Sequence, residues 1–176
     1  ISRILFDVGL NVPAVIDYDL EQGFLLLSDL GSRSYLDELN GDSVERLYGD
    51  ALSALATIQT CIPGDAGLPA YDRALLLKEL ELFREWLLGR HLGITPDAAQ
   101  AAAINAAFSL LVDNALQQPQ LCVHRDYHSR NLMVRQRNNP GILDFQDAVI
   151  GPVTYDLVSL LRDCYIDWPR AQVEDW

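Results

Sequence analysis

Asp126, Asn131 and Asp144 are the residues around which chemistry could be built. Asp126 lies in His124-Arg125-Asp126-Tyr127-His128-Ser129-Arg130-Asn131-Leu132-Met133-Val134. Asn131 follows it by five positions, and Asp144 opens Asp144-Phe145-Gln146 after the apolar pair Ile142-Leu143. A carboxylate, an amide oxygen and a second carboxylate in this order suit transfer of a phosphoryl group to a hydroxyl. That reaction is mainly a matter of position and charge. It needs a group that orients the hydroxyl and accepts its proton, and it needs magnesium, which takes oxygen ligands. Asp126 is the candidate base, a role worth about 10²–10⁴-fold in rate. Asn131 and Asp144 are the candidate metal ligands, with Asp144 the main one.

The neighbouring residues divide between chemistry and support. His124 reads as a hydrogen-bonding anchor for the loop. His128, two places after Asp126, is a second catalytic candidate: it suits donation to the transferring phosphate, and it suits ordering of the loop equally well. Arg125 and Arg130 read as structural ion pairs, and Tyr127 as packing or as a substrate contact. Asp147 reads as a turn carboxylate. Asp156 reads as a helix cap that braces the loop. A lone Asp or Asn in a polar loop is usually a turn or cap residue, so the ordered set carries the signal.

The elements that must hold this set follow from periodicity. Leu121-Cys122-Val123 and Leu132-Met133-Val134 read as short strands. Arg137-Asn138-Asn139-Pro140-Gly141 reads as a hairpin turn, and Ile142-Leu143 begins the strand that delivers Asp144. Upstream, residues 1–30 read as short strands and turns, with Phe24-Leu25-Leu26-Leu27 a buried strand by its continuous apolar run. A short helix is expected over Tyr35–Leu39. The next opens on an Asp42/Glu45 capping box and stops at Cys61-Ile62-Pro63-Gly64. A third spans Tyr71–His91, with Asp72 as its cap and an apolar stripe through Leu76, Leu80, Phe83 and Leu87. A fourth opens at Thr95-Pro96-Asp97, with Pro at the first helical position, and runs to about Gln117. Pro152–Cys164 returns to helix. The order predicts an α+β, mostly helical fold rather than a doubly wound sheet.

Composition sets the outer bounds. The chain has 176 residues, 49% hydrophobic and 22% charged, which fits one domain with a real core. No apolar run reaches the ~20 residues needed to span a bilayer. Cys61, Cys122 and Cys164 form no CxxC pair, which argues against a zinc site and a disulfide framework and for a reduced, cytoplasmic compartment. The net charge of -12 disfavours nucleic acid and anionic membranes as partners and would attract cationic small molecules. Lys78 is the only lysine. The first residue is not Met, so the chain is expected to begin inside a longer protein.

His124–Val134, Asp144-Phe145-Gln146 and Gly151-Pro152-x-x-Tyr155-Asp156-Leu157 together resemble the aminoglycoside phosphotransferase family of small-molecule kinases. Gln146 and His128 stand where protein kinases carry Gly and Lys, which favours the small-molecule branch. Within that family, the loop is most similar to that of the bacterial N-acetylmuramate/N-acetylglucosamine kinases, which phosphorylate the anomeric hydroxyl of amino sugars in cell-wall recycling. The resemblance implies ATP and Mg2+ as cofactors and a small sugar or an aminoglycoside as acceptor. It implies that Leu26-Leu27-Ser28-Asp29-Leu30-Gly31 is the hinge, with Asp29 and Leu30 meeting adenine, and that Met133 and Leu143 line the adenine floor. It implies a protein-kinase-like C-terminal lobe with a small catalytic β-hairpin, the N-terminal lobe being largely absent. Residues 1–30 would be a remnant of the nucleotide lobe and hinge, and residues 31–176 the helical lobe. The family's Gly-rich loop and phosphate-pairing Lys are not found before Gly31, and Lys78 lies after the hinge. Rival readings are an aminoglycoside kinase, a nucleotide-binding module without transfer and a metal-dependent hydrolase.

Overall fold

The computed structural model describes residues 1–62 and 67–176. Helix α1 (Ser2–Asp7) leads to a hairpin of β1 (Val15–Asp19) and β2 (Phe24–Leu27), followed by α2 (Tyr35–Glu38) and α3 (Val44–Cys61). Helix α4 (Arg73–Leu82) continues as a widened helical segment over Phe83–His91, and α5 (Ala98–Gln117) returns antiparallel to it. Four short strands follow: β3 (Gln120–Val123), β4 (Leu132–Met133), β5 (Gly141–Ile142) and β6 (Val149–Pro152). Helices α6 (Tyr155–Leu161) and α7 (Arg170–Asp175) complete the order. The helical α+β reading therefore holds.

The main core forms around α3, whose Val44, Leu47, Tyr48, Ala51, Leu55 and Ile58 face inward at helical spacing. Leu5, Leu10 and Val12 from the first residues join Leu132, Ile142 and Leu160 in the same cluster. Tyr48 is buried, its hydroxyl donates to the Leu160 carbonyl at 3.3 Å, and the Trp168 and Trp176 rings meet it edge-on. A second, smaller cluster joins Tyr71, Leu76, Val112, Val123 and Val149.

The expected hairpin forms, with Leu132 opposite Ile142 and Met133 opposite Gly141. Asn139 fixes its turn: the amide NH₂ donates to the Tyr35 hydroxyl and to Asp50, each at 2.7 Å, while Oδ1 accepts from the Arg135 N–H. Every polar atom of that side chain is thus used, tying the hairpin to α2 and α3.

Several local expectations change. β2 forms but is exposed: it pairs with β1 in a two-stranded sheet, and its side chains lie open among the described residues. The Asp42/Glu45 box is absent. Asn40 instead accepts from the Asp42 and Ser43 N–H groups, closing a turn two residues earlier, and Ser43 takes the N-cap position. Asp97, not Pro96, sets the start of α5, because Asp97 and Gln100 satisfy each other's backbone N–H in a capping box. Asp72 caps α4 as expected, but of the predicted stripe only Leu76 is buried, and the helix widens after Leu82. Residues Cys61 and Ile62 end α3, while Pro63 and Gly64 of the expected stop lie outside the described residues.

Strand β6 was not expected, since its Gly151 and Pro152 are poor strand residues. The register with β3 explains Gly151: a Cβ there would lie 2.9 Å from both Cβ and Cδ1 of Tyr71. Helix α6 accordingly begins at Tyr155 rather than Pro152. Gly151→Ala is expected to lower stability by about 1–3 kcal/mol through overpacking. Urea unfolding checks it, and an unchanged midpoint would mean that Tyr71 yields freely.

Candidate active site

The loop from His124 to Asn131 carries the candidate base between two short strands, and its shape is imposed from outside. Asp156, fully buried in the first turn of α6, accepts from the backbone N–H groups of His124 at 2.6 Å and Arg125 at 3.0 Å. Asp163, just beyond α6, accepts from the Ser129 N–H at 2.9 Å. Two carboxylates seven residues apart thus hold both halves of the loop. Arg125 between them has φ of 78°, a left-handed conformation that costs a non-glycine residue about 1–2 kcal/mol and must be held by its surroundings.

His124 closes the loop onto the hairpin. Its Nε2 lies 2.9 Å from the Leu143 carbonyl, and its Nδ1 accepts from the Asp126 N–H at 3.3 Å, which fixes the Nε2-protonated tautomer. Burial pushes its pKa down to about 4, against the pull of the Leu143 carbonyl, so the ring is neutral. The anchor reading of His124 agrees with this geometry.

Asp126 is half-buried at the centre. Its carboxyl is held above its ordinary value, first by burial and then by the charge of Asp144, while His128 and Arg125 oppose the rise. Asn131 turns its NH₂ inward, donating to the Asp126 carbonyl at 3.0 Å, and its backbone carbonyl accepts from the Leu143 N–H at 2.9 Å. Asn131 Oδ1 has no protein partner among the described residues. Asp144 is exposed, with φ of 62°, and Gln146 donates to its Oδ1 at 2.7 Å, leaving Oδ2 open. An amide oxygen and a carboxylate oxygen therefore remain unclaimed beside Asp126. That donor set fits magnesium, which prefers oxygen and keeps several ligand places for phosphate and water.

His128 stacks edge-on against Tyr165 at 5.4 Å between centroids, and its Nδ1 is buried without a partner among the described residues. Tyr127 is fully buried and donates to the Ala51 carbonyl at 2.8 Å, which resolves its two readings in favour of packing. Arg125 makes the expected ion pair, with Glu79 of α4. Arg130 makes none among the described residues; its guanidinium lies 5.0 Å from the centre of the Tyr165 ring. Asp147 is exposed, and only its backbone carbonyl is used, by Arg125 at 3.4 Å.

The expected nucleotide contacts are only partly gathered. Leu30 and Met133 are both buried and converge on Gly141, where a Cβ would sit 2.9 Å from Leu30 Cδ1 and 3.3 Å from Met133 Cβ. Asp29 is exposed, and its carboxylate accepts from the Gly31 N–H at 2.7 Å, closing the turn after β2. Leu143 is half-buried, with its backbone engaged by His124 and Asn131. Glu79 and Asp163 escaped the sequence reading. Asp163 carried one usable signal, its two-turn spacing from Asp156. Glu79 carried none, since its partner lies 46 residues away.

Comparison with known proteins shows what the chain is similar to. A family model described as the phosphotransferase enzyme family matches residues 1–176. The chain is 51% identical over 176 residues to the N-acetylmuramate/N-acetylglucosamine kinase of Pseudomonas putida, covering all of this chain and 51% of that protein. It is 46% identical over 173 residues to the enzyme of that name in Pseudomonas aeruginosa, covering 98% of this chain and 51% of that one. The chain therefore spans about half the length of the curated relatives it matches. Among solved structures, aminoglycoside phosphotransferase APH(3'')-Id of Streptomyces rimosus, in complex with ADP and streptomycin, superposes with a TM-score of 0.72 at 14% identity, over 99% of this chain and 70% of that one. Choline kinase LicA of Streptococcus pneumoniae gives 0.68 at 20% identity, over 98% of this chain and 57% of that one. At these identities the structural likeness concerns the fold.

Proposed function

The chain belongs to the phosphotransferase enzyme family, and from that membership we propose that it carries the catalytic segment of an ATP-dependent kinase of amino sugars. The acceptor is the anomeric hydroxyl of N-acetylmuramate or N-acetylglucosamine. The observation that carries this reading is the convergence of Asp126, Asn131 and Asp144 on one clamped loop and hairpin, in a chain 51% identical to a kinase of that name.

Asp126 orients the sugar hydroxyl and accepts its proton; its raised pKa brings it nearer to the operating range of a base. Asn131 Oδ1 and Asp144 would hold magnesium, which when bound neutralises phosphate charge. Gln146 steadies the Asp144 carboxylate. His128 faces the same loop as a candidate donor to the transferring phosphate. Asp29, Leu30, Met133 and Leu143 are assigned to the adenine side, residues 1–30 to the hinge and the nucleotide lobe, and residues 31–176 to the helical lobe. None of the described helices is long and apolar enough to cross a membrane. A cytoplasmic site of action accords with an intracellular ATP supply.

The test is a panel of N-acetylmuramate, N-acetylglucosamine and aminoglycosides with Mg-ATP and the whole protein, read by phosphorus NMR. An anomeric sugar phosphate is expected. A phosphorylated aminoglycoside would replace the reading with the second one, which the acidic surface favours because those acceptors are cationic. ATP breakdown alone, or nucleotide binding without transfer, would sink both. In the same assay Asp144→Ala is expected to weaken Mg-ATP binding by at least about tenfold, the scale reached on losing even an outer partner of a metal.

A further inference from the structure

Arg125 is the residue through which helix α4 reaches the candidate base. Its backbone N–H is held by Asp156, and its side chain by Glu79. Its guanidinium also lies 5.6 Å from the centre of the Tyr71 ring. Glu79 in turn receives the hydroxyls of Tyr71 and, at 3.4 Å, Tyr155. One carboxylate therefore gathers a guanidinium and two phenols from three separate elements. The ion pair is half-buried, with both side chains about three-quarters covered. Pairs of this kind are screened less than surface ones. Arg125 stands next to Asp126 and has the left-handed φ of 78°. A residue in that conformation is strained and persists only where its surroundings hold it, here Asp156 on the backbone and Glu79 on the side chain.

We propose that Glu79 is a positioning residue for the phosphoryl transfer: by holding Arg125 in its left-handed conformation it aims the Asp126 carboxylate at the acceptor hydroxyl. Helix α4 thereby joins the reaction without touching substrate. The proposal rests on the kinase reading above. Glu79 accepts hydrogen bonds from all of its partners through its two oxygens, so an amide of the same shape keeps the packing but loses the charge and one of the two acceptor oxygens shared by the guanidinium and the phenols.

The test is steady-state kinetics of the whole protein with Glu79→Gln, Arg125→Gln and the double variant, at saturating Mg-ATP and sugar. Glu79→Gln is expected to lower kcat by about 10- to 100-fold, the scale of an ångström of misplacement, with both KM values within about threefold of wild type. The double variant is expected to be no slower than the slower single one, because both changes remove one contact. A kcat within twofold of wild type for Glu79→Gln overturns the proposal, as does a fall carried by KM or a double variant in which the two losses multiply. If Glu79→Gln does not accumulate in soluble form, Arg125→Gln alone carries the kcat-against-KM criterion. Asp126→Asn in the same assay separates the two levels. If it too keeps wild-type turnover, the kinase mechanism itself fails; if it is inactive while Glu79→Gln is normal, only the role of Glu79 fails.

Discussion

Asp126→Asn is expected to lower kcat by about 10²–10⁴-fold while nucleotide affinity stays within about twofold of wild type. Asparagine has the same shape and keeps the backbone N–H bond to His124 Nδ1, so the loop stays in place. What is lost is the capacity to accept a proton. The wild-type profile should also show an acid limb above the ordinary aspartate range, because burial, the largest cause, raises the Asp126 pKa. The sign follows from the role: the base works ionised, so activity falls as pH drops through that raised value. The limb should vanish from the residual activity of Asp126→Asn. Wild-type turnover in this variant would remove Asp126 from the mechanism.

Asp156→Ala is the largest expected loss of stability, about 3 kcal/mol, because it orphans two buried N–H donors at His124 and Arg125. For a chain of this size that is roughly 6–12 °C in Tm. The same residue sets a pH signature. Burial pushes the Asp156 carboxyl up to about 6, with the two N–H donors working against it. A carboxyl raised above its unfolded value of about 3.9 contributes stability that is present below that value and lost as pH rises through about 6. His124 runs the other way: depressed to about 4 from about 6.5, it contributes stability present above the unfolded value and lost as pH falls through the folded one. The two offset each other over one window. Asp156→Asn removes only the first, so the variant's Tm should rise with pH between about 4 and 6.5 more steeply than that of wild type. A Tm that tracks wild type at every pH would contradict the opposed pair.

Local chemistry was legible in the sequence where the residues that decide it are neighbours. The candidate base, the two candidate oxygen ligands and the Arg137–Gly141 turn lie within about twenty positions, which is why spacing alone proposes them. The α3 face was legible for the same reason, since helical period decides which residues meet the core. What failed depended on partners distant in the chain. Burial of Phe24–Leu27 depends on what covers a strand, which an apolar run does not encode. The start of α3 was decided by Asn40 reaching forward, in competition with Asp42. Tyr127 was undecided until α3 offered the Ala51 carbonyl. Of the supports of the loop, Asp163 had only its spacing from Asp156 as a signal, and Glu79 becomes visible only once α4 packs against the loop.

The clamp of Asp156 and Asp163 brackets α6, and the Leu160 carbonyl between them is held by Tyr48. Trp168 donates to that same Tyr48 hydroxyl at 3.1 Å, and Trp176 packs on its ring. Trp168 thus sits two hydrogen bonds from the helix that holds the His124–Asn131 loop, and Trp176 packs on the tyrosine between them. Indole emission is sensitive to such contacts. If the loop moves when Mg-ATP or a sugar is added to the whole protein, a change in tryptophan emission is the expected readout, with no label needed.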